Sequence, residues 1–191
     1  MTAGGARARV LVAGVGNIFL GDDGFGPEVV RRLASQPLPD SVVVVDFGIR
    51  AIDLAYAIDG GHELVILVDA VGRGGPPGTV YLLEPDPAEP EVPGGESAAL
   101  AAGHSLVPEQ VIALVRSLTA GHEAPAIRIV GCEPAFIPTD PEIVVGLTAP
   151  VQAAVDHAVA LVVRLVAEAT GEQGRAEVSG ADGMEKDHGA A

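Results

Sequence analysis

The chain has 191 residues and a formal net charge of −15, and 48% of its residues are hydrophobic. A chain of this length is expected to form one domain with a substantial core, and its acidity argues against nucleic acid or an anionic membrane as a partner. The single cysteine, Cys132, excludes an intramolecular disulfide and follows an apolar run, so we expect a buried, unreactive thiol. The sequence has no convincing signal peptide or membrane span, which favours a cytoplasmic protein.

The first half of the chain alternates between apolar strand-like runs and helix-like segments. Pro27 lies in the first turn of the first predicted helix, where proline is tolerated, and a run of four valines leads to Asp46. Strands are predicted over residues 8–14, 42–45 and 64–68, with helices over 25–34 and 49–58 between them. This order is typical of parallel strands joined by right-handed crossovers in an α/β fold.

The second half of the chain continues the same pattern with one change of direction. The glycine- and proline-rich loop at 72–78 is too short for a helical crossover, so the strand predicted over 79–83 should run antiparallel to the strand over 64–68. Further along we predict an irregular loop over 85–95, a helix over 108–118, a strand over 126–130 and an irregular segment over 132–146. The last helix is predicted to begin after an N-cap at Thr148 and to end before Gly171.

Both ends of the chain are poor in the apolar residues that a core needs. Residues 1–7 are predicted to be frayed, and residues 172–191 are predicted to form a disordered tail of small and charged residues. We therefore expect a single domain over residues 1–171.

Acidic residues follow three of the predicted parallel strands. Asp22 and Asp23 come after the turn that ends the first strand, Asp46 ends the second and Asp69 ends the third. In an open parallel sheet, ligands bind beyond the carboxyl ends of the strands, where the strand order reverses. Asp69 is the strongest candidate, because it closes a wholly apolar strand and its charge must therefore be paired or lie at the edge. An aspartate at such a position is also a common turn former or helix cap, which is the alternative for each of these residues.

The two adjacent aspartates are not expected to be equivalent. Neighbouring side chains on a loop point in different directions, so only one of Asp22 and Asp23 should face the cleft. His104 precedes the helix predicted over 108–118 and could reach the same edge of the sheet. Two carboxylates and one imidazole form a nitrogen and oxygen donor set that suits nickel or zinc.

A dinucleotide site is the main alternative for the loop after the first strand. Gly14 and Gly16 supply half of the glycine fingerprint, and Asp46 resembles the acid that binds the ribose. Phe19 stands at the third glycine position, however, and two aspartates lie where a pyrophosphate needs positive potential. The chain also has no Gly-Lys-Ser/Thr phosphate loop and no Gly-x-Ser-x-Gly nucleophile elbow, so the acid site is favoured.

Over most of residues 8–170 the sequence resembles the nickel–iron hydrogenase maturation proteases, endopeptidases that remove a C-terminal extension from the hydrogenase large subunit. Two segments carry the resemblance: Gly14-Val15-Gly16-Asn17 followed by Asp22-Asp23-Gly24-Phe25-Gly26, and Val68-Asp69-Ala70. Residues 131–134 and 146–148 are similar to later segments of the family. The resemblance places Asp23 and Asp69 on the two acidic metal ligands of the family and His104 on its histidine ligand.

The resemblance implies a three-layer α/β/α sandwich around a mostly parallel five-stranded sheet, with Asp23, Asp69 and His104 in one cleft. It further implies a monomeric enzyme, often classed as aspartic-type, in which Asp23 and Asp69 are also the catalytic residues. Its partner is a large-subunit precursor that already holds nickel, so the nickel is presented by the substrate rather than held as a resident metal. No nucleic acid or membrane partner is expected.

The sequence departs from the family at Asp46, Phe47, Gly48, Ile49 and Arg50, where relatives commonly show Asp-Gly-Gly-Thr in a loop associated with substrate recognition. This difference indicates another hydrogenase subgroup as the substrate. Two other functions fit the same residues: a nickel-binding maturation chaperone without enzymatic activity, and a nucleotide-binding Rossmann-like module.

Overall fold

The computed structural model of the protein describes residues 9–85, 125–138 and 142–171. Over these ranges the regular elements are, in chain order, β1 (Val10–Val15), α1 (Phe25–Leu33), β2 (Val42–Gly48), α2 (Ala51–Ile58), β3 (Leu64–Ala70), β4 (Val80–Leu83), β5 (Ala126–Cys132) and α3 (Ala149–Thr170). A short 3₁₀ helix, Gly21–Gly24, leads into α1. The helix predicted over 108–118, both chain ends and, apart from Pro85, the loop predicted over 85–95 lie outside the described residues.

The strands form one sheet in the order β2-β1-β3-β5-β4, in which every neighbouring pair is parallel except β4 and β5. The mostly parallel sheet confirms the prediction, and β4 runs antiparallel to β3 as expected. β4 pairs with β5, with Val80 opposite Cys132, and β5 separates it from β3. A short loop fixes the direction of β4 but not its partner. The more deeply buried β5 occupies the inner position, and the half-exposed β4 forms the edge.

Helices cover both faces of the sheet, which confirms the three-layer arrangement. Val10 and Val12 of β1 pack with α1 and α3 on one face, whereas Leu11 and Ala13 pack with α2 on the other. All six residues of β1 are buried, as expected for a strand covered on both sides. Placing α1 and α2 on opposite faces is what right-handed crossovers require when the chain leaves β1 for β2 and then returns past β1 to β3.

The strands β2, β3 and β5 each continue at least two residues further than the sequence predicted. β2 runs through Asp46 to Gly48 and β3 runs through Asp69 to Ala70, so these acids lie within the last residues of their strands. Backbone pairing causes the extension, because Asp69 pairs with Gly131 in the β3–β5 register. A charged side chain ends an apolar run in the sequence, but it does not end the ladder of backbone hydrogen bonds.

The last helix, α3, is long and apolar enough by composition to cross a membrane, with a mean hydropathy of 1.4. Eight of its residues are buried, and they pack in the same cluster as β1, β3 and α1. This packing explains the apolar composition as that of a core helix. Gly171 ends α3 in the left-handed conformation, with φ of 75° and its N–H donating to the carbonyl of Ala167, as the sequence predicted.

Candidate active site

The candidate site lies at the carboxyl ends of β1 and β3. The chain leaves β1 toward the edge strand β2 and returns across β1 to β3, so the strand order reverses at this point. Adjacent strands whose connections leave in opposite directions open a crevice between their ends, and ligands of α/β proteins bind in such crevices. Asp23 follows β1, and Asp69 lies near the end of β3, so both belong to this crevice.

Gly16 is the point at which the two aspartates meet. Its φ is 125°, and a Cβ placed on it would lie 1.9 Å from the carbonyl oxygen of Asp23 and 3.7 Å from Oδ1 of Asp69. Only glycine fits, because any side chain would overlap the backbone of Asp23. The glycine therefore lets the chain's own loop fold over the end of β1. The space that a dinucleotide phosphate would need above this glycine is filled by Asp23 itself.

The first turn of α1 packs directly against the ends of the same two strands. A Cβ on Gly26 would lie 2.2 Å from the carbonyl oxygens of both Val15 and Val68. Phe25, the first residue of the helix, is fully buried, and burying a side chain of this size contributes about 1.5–3 kcal/mol. Together these contacts fix the start of α1, and with it the 3₁₀ helix that carries Asp23.

Asp23 presents a partly exposed carboxylate whose Oδ2 accepts a hydrogen bond of 2.7 Å from the backbone N–H of Asn17. Burial raises the pKa of Asp23 above its ordinary value, although the hydrogen bond from Asn17 opposes this shift. This hydrogen bond joins the two ends of the loop between β1 and the 3₁₀ helix. It holds the Asp23 carboxylate at the carboxyl end of β1, where the residue is partly exposed to water.

Asp69 lies deeper than Asp23, with 7% of its surface exposed. Its Oδ1 accepts a 2.8 Å hydrogen bond from the backbone N–H of Ala70 and faces Gly16. The expectation that this charge would be paired or lie at the edge of the sheet agrees with this hydrogen bond and with the place of Asp69 near the end of β3. The structure brings Asp69 and Asp23 to the same glycine.

Asp22 takes no part in the crevice, since its side chain is completely buried. Its carboxylate accepts hydrogen bonds from the backbone N–H groups of Ala135, Phe136 and Thr148 and from the hydroxyl of Thr148. The expectation that only one of the two adjacent aspartates faces the cleft agrees with this geometry. Thr148 also occupies the predicted N-cap position of α3, but its hydroxyl donates to Asp22 instead of capping the helix.

The segment from Asp46 to Arg50 lies next to the candidate site, and Gly48 makes the contact. The backbone N–H of Gly16 donates a 3.0 Å hydrogen bond to the carbonyl of Gly48, which has φ of 54°. The carboxylate of Asp46 accepts the N–H of Gly48, and the guanidinium of Arg50 donates to the carbonyls of Asp46 and Phe47. Phe47 itself is buried in the core next to α2, so its side chain is structural, whereas Ile49 and Arg50 are exposed.

Glu133 is a buried residue whose position the sequence did not reveal. It follows β5, with 6% of its surface exposed, and accepts the N–H groups of Arg73 and Gly74 and the hydroxyl of Tyr81. It thereby holds the loop that follows β3. The preceding Cys132 is buried as expected, and burial, followed by the charges of Asp22 and Glu133, raises the pKa of its thiol to about 12.

The third residue of the predicted metal set, His104, lies outside the described residues. Within the ranges that the structure covers, no group of three or more His, Cys, Asp and Glu side chains could hold a metal ion. Asp23 and Asp69 are the two residues of that set that the structure describes, and each supplies carboxylate oxygen atoms.

A family model, curated relatives and solved structures all relate the chain to proteins of hydrogenase maturation. The model of the hydrogenase maturation protease family, HycI, matches residues 27–165. The hydrogenase expression/formation protein HupD of Rhizobium leguminosarum bv. viciae is 31% identical over 160 residues, which are 83% of this chain and 74% of HupD. The hydrogenase 2 maturation peptidase from Thaumarchaeota archaeon SCGC_AB-539-E09 is 35% identical, with a TM-score of 0.57 over 83% of this chain and 97% of that one. The hydrogenase maturating endopeptidase HybD from E. coli is 28% identical, with a TM-score of 0.62 over 84% and 93% of the two chains.

Proposed function

Because the chain belongs to the hydrogenase maturation protease family and is therefore a hydrolase acting on peptide bonds, we propose that it removes the C-terminal extension of a nickel–iron hydrogenase large-subunit precursor. The observation that supports this proposal best is the convergence of Asp23 and Asp69 on Gly16 at the reversal of strand order. Two carboxylates at the same edge of the sheet are suited to both metal recognition and proton transfer.

In this proposal, the nickel that is recognised belongs to the precursor. Asp23 and Asp69, with His104, bind the metal after it has been inserted into the large subunit, so that only a loaded precursor is held productively. Discrimination then comes from the difference in affinity between loaded and empty precursors. The enzyme needs no resident metal for this step.

Water is activated in one of two ways in this proposal. A carboxylate acts as general base, or the nickel of the precursor polarises the water or the scissile carbonyl. Asp23 is the better placed general base because it is partly exposed, whereas Asp69 is buried. Asp69 then serves mainly to bind and orient the metal.

An apolar rim beside Asp23 supports a peptide as the substrate. Ile18 and Phe19 are each 51% exposed on the loop after β1, and Phe136 is 50% exposed on the loop after β5. The two loops are held together by a hydrogen bond from the N–H of Asp22 to the carbonyl of Phe136. Large apolar side chains that are exposed on neighbouring loops are suited to contact a protein substrate. We propose that the rim contacts the precursor close to the cleavage site.

We further propose that the enzyme acts as a cytoplasmic monomer. A single chain supplies both Asp23 and Asp69. Size-exclusion chromatography with light scattering would contradict the monomer if the active species had twice the mass of the chain.

The deciding experiment is in vitro cleavage of a large-subunit precursor that carries its C-terminal extension, prepared with and without nickel. Mass spectrometry should show loss of the extension from the nickel-loaded precursor, and the empty precursor should stay intact. Equal cleavage of both forms would contradict nickel recognition. Stoichiometric binding without cleavage of either form would contradict the proposed proteolysis.

A further inference from the structure

The carboxylate of Asp22 joins three separate parts of the chain. It belongs to the 3₁₀ helix, and its donors come from the loop after β5 and from the residue that precedes α3. The backbone N–H groups of Ala135 and Phe136 lie 2.8 Å and 2.9 Å from Oδ2, and the Thr148 hydroxyl lies 2.9 Å from the same oxygen. The N–H of Thr148 lies 2.6 Å from Oδ1.

Backbone hydrogen bonds reinforce this junction on both sides. The N–H of Asp22 donates to the carbonyl of Phe136 at 3.1 Å, and the N–H of Gly21 donates to the carbonyl of Val144 at 2.7 Å. An ionised carboxylate that is removed from water is stable only while its hydrogen-bond donors stay in place. The complete burial of Asp22 therefore couples the positions of the three segments.

Asp23 is the next residue of the same 3₁₀ helix, so it moves with the junction. Its side chain is bonded to the N–H of Asn17, and its carbonyl oxygen packs on Gly16. A displacement at Asp22 must therefore change the hydrogen bond between the Asp23 carboxylate and the N–H of Asn17.

We propose that Asp22 is a positioning residue for the cleavage reaction, which fixes Asp23 at the crevice by anchoring its helix to the loop after β5 and to the start of α3. This role rests on the proposed function of Asp23. It assigns to the two adjacent aspartates separate tasks, with Asp22 holding the scaffold and Asp23 meeting the substrate. Small errors in the position of a reacting group reduce turnover more than they reduce affinity.

The test uses the full chain with the substitutions Asp22→Asn, Thr148→Val and Thr148→Ser. In Asp22→Asn, an amide that keeps its oxygen at the Oδ2 position turns its NH₂ group toward the N–H of Thr148, which pushes the start of α3 away. Thr148→Val removes one donor and preserves the charge of Asp22, and Thr148→Ser restores the hydroxyl. Val166→Ala, a change in the buried part of α3 distant from Thr148, is the control for general loss of stability.

Two readouts are measured on each variant: the kinetics of cleavage of the nickel-loaded precursor, and amide hydrogen exchange of Asn17 by NMR. We expect Asp22→Asn to lower kcat by about 10- to 100-fold with a smaller change in KM. The Asn17 amide should exchange faster in Asp22→Asn and Thr148→Val. Thr148→Ser should resemble the wild type in both readouts, and Val166→Ala should keep wild-type kcat and Asn17 exchange.

Unchanged kcat and unchanged Asn17 exchange in a folded Asp22→Asn variant would overturn the positioning role. If Asp22→Asn fails to fold, Thr148→Val and Thr148→Ser are compared instead. Equal kcat and equal Asn17 exchange in these two variants would overturn the positioning role. If wild-type protein does not cleave the precursor, the proposed function fails. The exchange of Asn17 then still shows whether Asp22 holds Asp23 in place.

Discussion

At the amino end of the sheet an ion pair lies in solvent, whereas near the carboxyl end three carboxylates are buried. Arg9 and Glu63 form a 2.7 Å ion pair before β1 and β3, with side chains 46% and 65% exposed. Asp22, Asp69 and Glu133, near the opposite ends of the strands, are 0%, 7% and 6% exposed. Exposed pairs contribute little to stability, while buried carboxylates must be held by directed hydrogen bonds. The difference shows that the carboxyl end is the part of the molecule in which side-chain position is fixed by the fold.

The strongest test of the contrast between the two ends of the sheet compares charge removal at the carboxyl end with charge removal at the amino end. We expect Asp69→Asn and Asp23→Asn each to lower the cleavage of the nickel-loaded precursor by at least about 100-fold, because the metal and the water both lose a carboxylate partner. Asp40→Asn makes the same chemical change on the exposed turn before β2 and should cleave normally. Circular dichroism should show folded protein for all three variants, and normal processing by either crevice variant would contradict its assigned role.

A second test concerns the stability that a buried carboxylate provides. In Glu133→Gln the new amide group faces the N–H of Gly74 or that of Arg73, and an unsatisfied donor of this kind costs about 1–3 kcal/mol. The melting temperature should fall clearly. Glu142→Gln, on an exposed segment, should leave it unchanged and serves as the matched control.

The same glutamate makes stability depend on pH. Burial alone raises the pKa of Glu133, but the hydrogen bonds from Arg73, Tyr81, Gly75 and Gly74 outweigh it and lower the pKa below the ordinary 4.5. A carboxylate with a lowered folded-state pKa stabilises the fold above the unfolded-state pKa, and this stabilisation is lost as the pH falls through the folded-state value. Melting curves from pH 7 to pH 3 should therefore converge for wild type and Glu133→Gln at the acid end. A difference that stays constant with pH would contradict this assignment.

A smaller effect is expected at the apolar rim. Phe19→Ala should raise KM for the precursor by about 3- to 10-fold and leave kcat nearly unchanged, since a single contact residue typically contributes modestly to binding. Tyr56→Ala removes an exposed aromatic residue in the second half of α2 and is the control. A fall in kcat with unchanged KM would show that Phe19 acts in the chemical step instead of in docking.

The smallest effect is expected at the amino end. Arg9→Ala breaks the ion pair with Glu63, but both side chains remain in solvent, so the melting temperature should stay within experimental error. Cleavage should also be unchanged. A clear loss of either property would remove the distinction between the two ends of the sheet.

Much of the fold could be predicted from the sequence because the strands are apolar runs that end at charges or glycines. The strand that pairs with β4 could not be predicted. The short segment between β3 and β4 sets the direction of β4 but does not determine which strand lies next to it. The convergence of Asp23 and Asp69 followed from their places after parallel strands. The hydrogen bonds that anchor Asp22 and Glu133 could not be predicted from the sequence. Their donors are mostly backbone N–H groups, and because every residue except proline carries one, the sequence does not single these donors out. His104 lies outside the described residues, so its place in the site stays a prediction.

The junction at Asp22 has a consequence for the order in which the protein is assembled. Ala135 and Thr148 stand 113 and 126 positions beyond Asp22, so a ribosome makes the aspartate long before it makes these donors. A nascent chain emerges from its N-terminal side, and contacts this distant in sequence close late in folding. The crevice therefore acquires its final form only when α3 docks. A peptidase that is built in this way cannot act on other chains until Thr148 and α3 have been synthesised.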